Sequence, residues 1–468
     1  MNDDFARDTG DTPLGDLAAY DGAPFNRELI PLHRASIGAE ELDELKNCLT
    51  SGWLTKGPLT ARFETEFAAY LSRGRARDDR AGAICALGLN SCTAALHTAL
   101  IAAGIGKGDE VITTPMTFAA TLNVIEHVGA TPVIVDIHPD TLCINEKLIE
   151  AAVTPRTKAI IPVHYAGHPC EMETIMRIAR ERKLVVIEDC AHAVEAEYRG
   201  QPVGTFGDFG CFSFYATKNM TTGEGGMLVC QSEAHREQAR VVSLHGMSAN
   251  AWQRYSGGGF RLYDIETPGF KYNMFDMQAA LGLHQLKKID GWRDSRKWLY
   301  ERYCEMLEDV RGVEPLRIRP NVKSAYHLMV VKLDIEALKG LRRVYEESPM
   351  WRDSGAGVAA APSSINTGTN AQSVRSATSA PDTYAESSAV RDAFVSLMLA
   401  ENVQCYVHYK PIFEMSYYRQ KYNWQASDFP AASDAGARIV TLPFFPTMGE
   451  EDVKGVVGAM RKVVGAVG

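Results

Sequence analysis

Three groups of residues, far apart in the chain, carry side chains whose chemistry could meet at one point. Lys218 stands in FSFYATKNMTTGEGG (212–226), after an apolar run with Ser213 and before a Thr/Gly-rich cluster. Asp189 closes the apolar run KLVVIED beside Glu188, where a carboxylate could pair with a cationic ring nitrogen. Asn90, Ser91, Cys92 and Thr93 open the helical text LNSCTAALHTAL directly after a strand. The first turn of such a helix offers unpaired amides and a favourable dipole to an anion, and the Thr93 hydroxyl adds a donor. Each group alone has an ordinary reading: Asp189 as a helix cap, Thr93 as an N-cap, Lys218 as a solvated loop lysine. A phosphate-binding P-loop places its glycines before the lysine, whereas Gly223, Gly225 and Gly226 follow Lys218. Taken together, an acid at a strand end, an anion cradle at a helix start and a lysine held on a rigid strand are the protein groups that pyridoxal phosphate requires.

The elements that must hold these groups follow from periodicity. Residues 38–72 predict two helices separated by the Gly52–Pro58 loop. AICALGL, EVITTP, TPVIVDI, KAIIPVHY and KLVVIED are short apolar runs bounded by turn residues, and they alternate with helical text. Buried strands alternating with helices predict an α/β fold with a mixed, mostly parallel sheet, in which ligands bind at the carboxyl ends of the strands. Long helical text follows from Arg236, most clearly NMFDMQAALGLHQLKKIDGWRDSRKWLYERYCEMLEDV, and AYHLMVVKLDI then predicts a strand of a smaller α+β domain. The expected organisation is an acidic disordered tail (1–25), a large domain (26–300) and a small C-terminal domain (301–468). A Ser/Ala/Thr/Gly-rich stretch predicts a disordered insertion at 340–389 within the last. Gly246–Gly259, GMSANAWQRYSGGG, reads as a flexible substrate lid.

Composition narrows the ligand. The 468 residues carry a net charge of -9, from 49 basic and 58 acidic side chains, which predicts no nucleic-acid or anionic-lipid surface and favours a small molecule. No apolar run approaches the ~20 residues of a membrane span, and the acidic N-terminus has no signal-peptide core, so a cytoplasmic protein is expected. The ten cysteines are scattered without a CxxC pair, which predicts reduced core thiols and no metal site.

The succession GWLTKGP, NSCTAALHTAL, MTFAATLNVI, VVIEDCAHAV, FSFYATKN, PGFKYNM and IVTLPFFPTM resembles the DegT/DnrJ/EryC1/StrS family of sugar aminotransferases, over roughly residues 28–340 and 390–466. VHYAG, DCAHAV, the Lys218 segment and PGFKYNM are most similar to the branch that aminates C4 of UDP-linked 4-keto sugars, as in 4-amino-4-deoxy-L-arabinose biosynthesis. The resemblance implies the fold of type I pyridoxal-phosphate enzymes, the aspartate-aminotransferase-like fold, and a homodimer with shared active sites. It implies that Lys218 holds the cofactor covalently and moves protons, and that Asp189 pairs with the pyridine nitrogen. His192, where many members have Gln, would bond the ring hydroxyl, and Phe118 would stack on the ring. Thr93, the Ala94 amide and Ser213 would hold the phosphate, and Asn273 would reach the phosphate of the other subunit. Trp53, Lys56, His408 and Tyr409 would line the sugar-nucleotide side. The implied reaction moves an amino group from L-glutamate, leaving 2-oxoglutarate, to a keto sugar nucleotide for cell-surface glycan or amino-sugar synthesis. Two alternatives stay open at this point: a sugar dehydratase of the same family, in which His replaces the lysine, and a non-catalytic regulatory protein that binds the cofactor.

Overall fold

The computed structural model describes residues 11–73, 83–247, 264–352 and 383–467. Helix α1 (Ala39–Ser51) stops where Gly52 turns left-handed (φ 75°), and α2 (Pro58–Leu71) begins on a proline whose missing N–H has no intrahelical partner to lose. The central sheet contains β1 (Cys85–Leu89), β2 (Glu110–Thr113), β3 (Thr131–Ile134), β4 (Thr157–Ile160), β5 (Val185–Asp189), β6 (Phe209–Ser213) and β7 (Gly226–Cys230). Its order is β1-β7-β6-β5-β4-β2-β3, and β7 alone runs antiparallel to its neighbours. This is the expected mixed, mostly parallel sheet.

Side-chain alternation along β6 and β7 divides the packing between two cores. Cys211 and the opposing Leu228 join Leu96, Ala99 and Leu100 of α3 (Cys92–Ala102) on one face. Phe212 and the opposing Met227 join Phe63 and Phe67 on the other, where Phe67 meets Phe212 edge-on at 5.1 Å. The remaining helices of this part are α4 (Ala120–His127), α5 (Glu146–Ala152), α6 (Met172–Arg182) and α7 (Glu233–Ser243). The 32-residue α8 (Asp276–Leu307) leads away from the sheet: its Leu283 and Ile289 belong to the second of these cores, and its Leu299, Tyr303 and Leu307 to a further one. That further core is built on the antiparallel strands β8 (Val313–Pro315), β9 (Met329–Leu333) and β10 (Ile439–Leu442).

Two expectations of disorder are corrected where the residues are described. In the 1–25 stretch, Leu14–Asp16 and Ala18–Tyr20 form 3₁₀ turns and Leu17 is fully buried in the core around β9. The Ala18 amide donates to Glu401 Oε1 at 2.9 Å, so one buried acid anchors this segment. Within 340–389, Gly340–Glu347 and Pro349–Arg352 are helical, and residues from Thr383 onward form a helix to Ala400. Leu341, Val344 and Tyr345 recur at helical spacing and are buried, which outweighs the polar composition around them. Residues 353–382, and 248–259 of the expected lid, lie outside the described residues. All ten cysteines are free thiols, and among the described residues no helix is long and apolar enough to cross a membrane.

Candidate active site

The carboxyl edge of the sheet brings the three sequence groups into one cavity of about 690 Å³, lined among others by Thr93, Phe118, Asp189, His192, Ser213 and Lys218. β5 delivers Asp189, β1 leads into the start of α3, and β6 ends at Ser213 five residues before Lys218. Gly226 pairs with both Leu89 and Ser213, which ties the phosphate side to the lysine side. A Cβ on Gly226 would lie 2.4 Å from the Ser91 carbonyl carbon and 2.5 Å from the Cys92 amide nitrogen, both backbone atoms. Gly226→Ala is therefore expected to push the start of α3 off β7, costing about 1–3 kcal/mol of stability by overpacking. Thermal melting and cofactor titration should both record the loss.

Asp189 and Glu188 are adjacent, and strand alternation sends them in opposite directions. Glu188 is fully buried and accepts from the amides of Gly204, Phe206 and Gly207 and from His164 Nε2, so its oxygens are occupied by protein donors. Asp189 faces the cavity. Thr121 Oγ1 donates to its Oδ2 at 2.8 Å and the Ala191 amide to its Oδ1 at 3.1 Å. Because the Thr121 proton is committed to Asp189, Thr117 Oγ1, 2.8 Å away, donates to Thr121 and fixes its rotamer. Burial raises the Asp189 pKa, against the opposing effects of Thr121, Ala191 and Lys218, so a cationic partner is what this carboxylate lacks.

Lys218 has no hydrogen-bond partner for its amine among the described residues. Burial lowers its pKa to about 8, with Cys92 and Asp189 pulling weakly the other way. An amine so placed is held close to its neutral, nucleophilic form.

At the start of α3, Ser91 is the N-cap, and its Oγ accepts from the Ala94 amide at 3.1 Å. The ordinary reading of Thr93 as the cap is thereby overturned. The Ala94 amide, expected at the phosphate, is bonded to Ser91 Oγ, and Ala94 is not among the residues that line the cavity. The Cys92 and Thr93 amides have no partner among the described residues, and with the Thr93 and Ser213 hydroxyls they offer an anion cradle. Ser91 carried the signal for this exchange, a serine directly before an apolar helix.

His192 lines the cavity with both ring nitrogens engaged by protein groups. Its Nδ1 accepts from the Ala166 amide at 3.2 Å, so the neutral ring carries its proton on Nε2 and donates to Tyr409 Oη at 3.0 Å. Burial holds this ring neutral. No ring nitrogen is left over for a cofactor hydroxyl, and the group presented to the cavity is the Tyr409 hydroxyl with its free proton. His192 instead packs against Tyr409, ring planes 21° apart, and against His327 at 4.3 Å. His327, which the sequence reading did not select, comes from the loop before β9. Asn219 donates its amide protons to Glu195 and the Ala325 carbonyl, so its Oδ1 accepts from His327 Nδ1 at 2.7 Å and leaves the Nε2 lone pair unused.

Phe118 stands at the cavity mouth, 61% exposed, its ring 5.9 Å from that of Tyr409. His408 also lines the cavity, with Nδ1 against Thr441 Oγ1 at 3.0 Å. Trp53, Lys56 and Asn273 are not brought there in a single chain. Trp53 Nε1 donates to the Lys56 carbonyl at 3.2 Å and Lys56 pairs with Glu64 at 2.8 Å. Asn273 donates to the Met274 carbonyl, and its buried Oδ1 has no partner among the described residues.

The donor set fits pyridoxal phosphate: free amides and hydroxyls for a phosphate, a buried carboxylate for a ring nitrogen, and an unpaired amine for an aldehyde. Fold and site together define a pyridoxal-phosphate-dependent transaminase of fold type I. More particularly, the chain belongs to the DegT/DnrJ/EryC1/StrS aminotransferase family, whose model matches residues 35–347 and 357–461. The protein MJ1066 of Methanocaldococcus jannaschii, itself uncharacterized, is 42% identical over 435 residues, covering 93% of this chain and 97% of that one. The spore coat polysaccharide biosynthesis protein SpsC of Bacillus subtilis is 40% identical with the same coverage. Among solved structures, the putative sugar aminotransferase Spr1654 from Streptococcus pneumoniae in its PMP form is similar at a TM-score of 0.75 and 28% identity, covering 94% of this chain and 98% of that one. DesI, solved in the presence of its TDP-sugar product, is similar at a TM-score of 0.74 and 26% identity, with 96% of each chain covered.

Proposed function

We propose that the protein transfers an amino group from L-glutamate to the ketone of a sugar nucleotide, a UDP-linked 4-keto hexose or pentose, for surface-glycan or amino-sugar synthesis. The observation that carries this reading is the unpaired Lys218 amine sharing one cavity with the buried Asp189 carboxylate and the open start of α3. Similarity to SpsC and to the solved sugar aminotransferases supports the choice of substrate class.

The cofactor, when bound, supplies an electron sink for the carbanion formed at the donor's α carbon. Lys218 would anchor it covalently, and its Nζ, once released, would take the proton from that carbon and, in the second half of the cycle, deliver one to the former ketone carbon of the sugar. Asp189 would keep a ring nitrogen of the bound cofactor protonated, and the Thr117–Thr121 pair keeps Asp189 oriented. The Cys92 and Thr93 amides, with the Thr93 and Ser213 hydroxyls, would hold the phosphate, and Phe118 would cover the ring face. Tyr409 and His408 meet the sugar nucleotide. Trp53, Lys56 and Asn273 would contribute from the second subunit of a homodimer, where the Asn273 Oδ1 would find its partner. We place the enzyme in the cytoplasm, where sugar nucleotides are made.

The test is spectroscopic. Purified protein loaded with pyridoxal phosphate should show a visible band that glutamate bleaches and that the correct keto sugar nucleotide restores. A panel varying the nucleotide and the ketone position identifies the substrate. If glutamate leaves the band unchanged, or if no keto sugar nucleotide restores it, the proposal fails.

A further inference from the structure

Beside Lys218 lies a small recess, as open as the main cavity, with about 20 Å³ of space for one or two water-sized groups. It shares His33, Thr217, Lys218, His327 and Phe444 with that cavity, so a ligand seated at the lysine can extend a short polar arm into it. Arg34 and Ser36 belong to its wall, and among the described residues that line it there is no aspartate or glutamate.

The polar groups of the wall differ in what they have left to give. Arg296 is 2% exposed and ion-paired with the buried Glu195, so it brings no free charge to the recess. Asn219 donates to Glu195 and the Ala325 carbonyl, and Gln285 donates to the Ser36 carbonyl and Glu41. Arg34 is exposed, and its side chain has no ion pair or hydrogen bond among the described residues; its guanidinium lies over the Phe445 ring, 5.9 Å from the centre. The Ser36 and Thr217 hydroxyls are also without a partner among the described residues. What remains on offer is a guanidinium and two hydroxyls, with no acid beside them. That set attracts an anionic oxygen pair and repels a cation, and the planar fork of Arg34 can meet both oxygens of a carboxylate at once.

We propose that this recess binds a carboxylate of the amino donor, with Arg34 as its cation and the Ser36 and Thr217 hydroxyls as further donors. The identity of the ligand rests on the proposed amino transfer. There the donor's nitrogen must take the place of the Lys218 amine, and its α-carboxylate, carried on the same carbon, then lies beside the lysine. The start of α3, which would hold the cofactor phosphate, lines the main cavity and not the recess, so the two anions have separate seats.

Glutamate titrations of the visible band in the full-length, cofactor-loaded protein test it. Arg34→Gln should raise the glutamate concentration for half-bleaching about tenfold, the effect of one hydrogen bond to a charged group, and Arg34→Lys should recover part of the loss. The keto sugar nucleotide concentration that restores the band should move far less. A rise for the sugar nucleotide with none for glutamate would assign the recess to a diphosphate and overturn the proposal. Succinate, a dicarboxylate with no amine, gives a readout that needs no turnover. Its half-saturation in saturation-transfer NMR should also rise about tenfold in Arg34→Gln. Equal succinate binding by wild type and variant, or none by either, would overturn the site. If succinate binding depends on Arg34 while glutamate never bleaches the wild-type band, the proposed amino transfer fails and the carboxylate site stands.

Discussion

Lys218→Ala is expected to lower turnover by at least about 10⁴-fold, because general acid–base transfer by one positioned group is worth 10²–10⁴ alone and the same side chain also forms the covalent anchor. Initial rates with glutamate and the accepted sugar nucleotide measure the loss. Mass spectrometry after borohydride reduction supplies a second readout: the wild-type chain should gain the mass of the cofactor, and the variant should not. If the variant still becomes labelled at another lysine and turns over, the assignment fails. Folding is not the cause of the loss, since the Lys218 amine makes no hydrogen bond among the described residues that the variant would forfeit. The pH dependence of stability adds a sign. With a folded pKa of about 8 against an ordinary 10.5, the unfolded chain binds more protons between those values, so the cofactor-free protein should gain stability as pH rises through that window. Lys218→Ala should lose that rise, which denaturant titrations at pH 8 and above can record.

Asp189→Asn ranks second, with turnover falling on the order of 10²–10³-fold, the usual effect of removing one preorganised charge at a reacting centre. Asn keeps the size and can still meet the Thr121 hydroxyl, but it carries no charge to hold a proton on a ring nitrogen. Stability should move the other way. Burial raises the Asp189 pKa, so the folded state binds more protons than the unfolded state just above the ordinary carboxylate value, and stability falls as pH rises through that range. Once ionised, the buried carboxylate is a cost to the cofactor-free fold. Cofactor-free Asp189→Asn should therefore melt no lower than the wild type while its turnover collapses. A lower melting temperature together with an unchanged rate per bound cofactor would rule out the catalytic reading.

Local features are legible in the chain alone, because each depends on neighbours a few residues away. Period two in VVIED separates Glu188 from Asp189, and a serine before an apolar helix marks the open amides that follow it. The order of motifs around Lys218 was enough to place the chain in its family and to indicate its cofactor. Helical spacing at Leu341, Val344 and Tyr345 was legible as well, and the polar composition around it pointed the other way. Which groups are already spent depends on long-range packing. The Ala94 amide is taken by Ser91 three residues away, and His192 is taken by Ala166 on one side and by Tyr409, 217 residues distant, on the other. No local pattern records such competition, because a hydrogen-bonding group is filled by whatever the fold brings nearest. The same holds for convergence. Thr121 reaches Asp189, and the loop before β9 carries His327 to the lysine, while Trp53, Lys56 and Asn273 stay outside the cavity of their own chain. Distances along the chain say nothing about these placements; the packing of α8 and of the core around β9 against the sheet sets them.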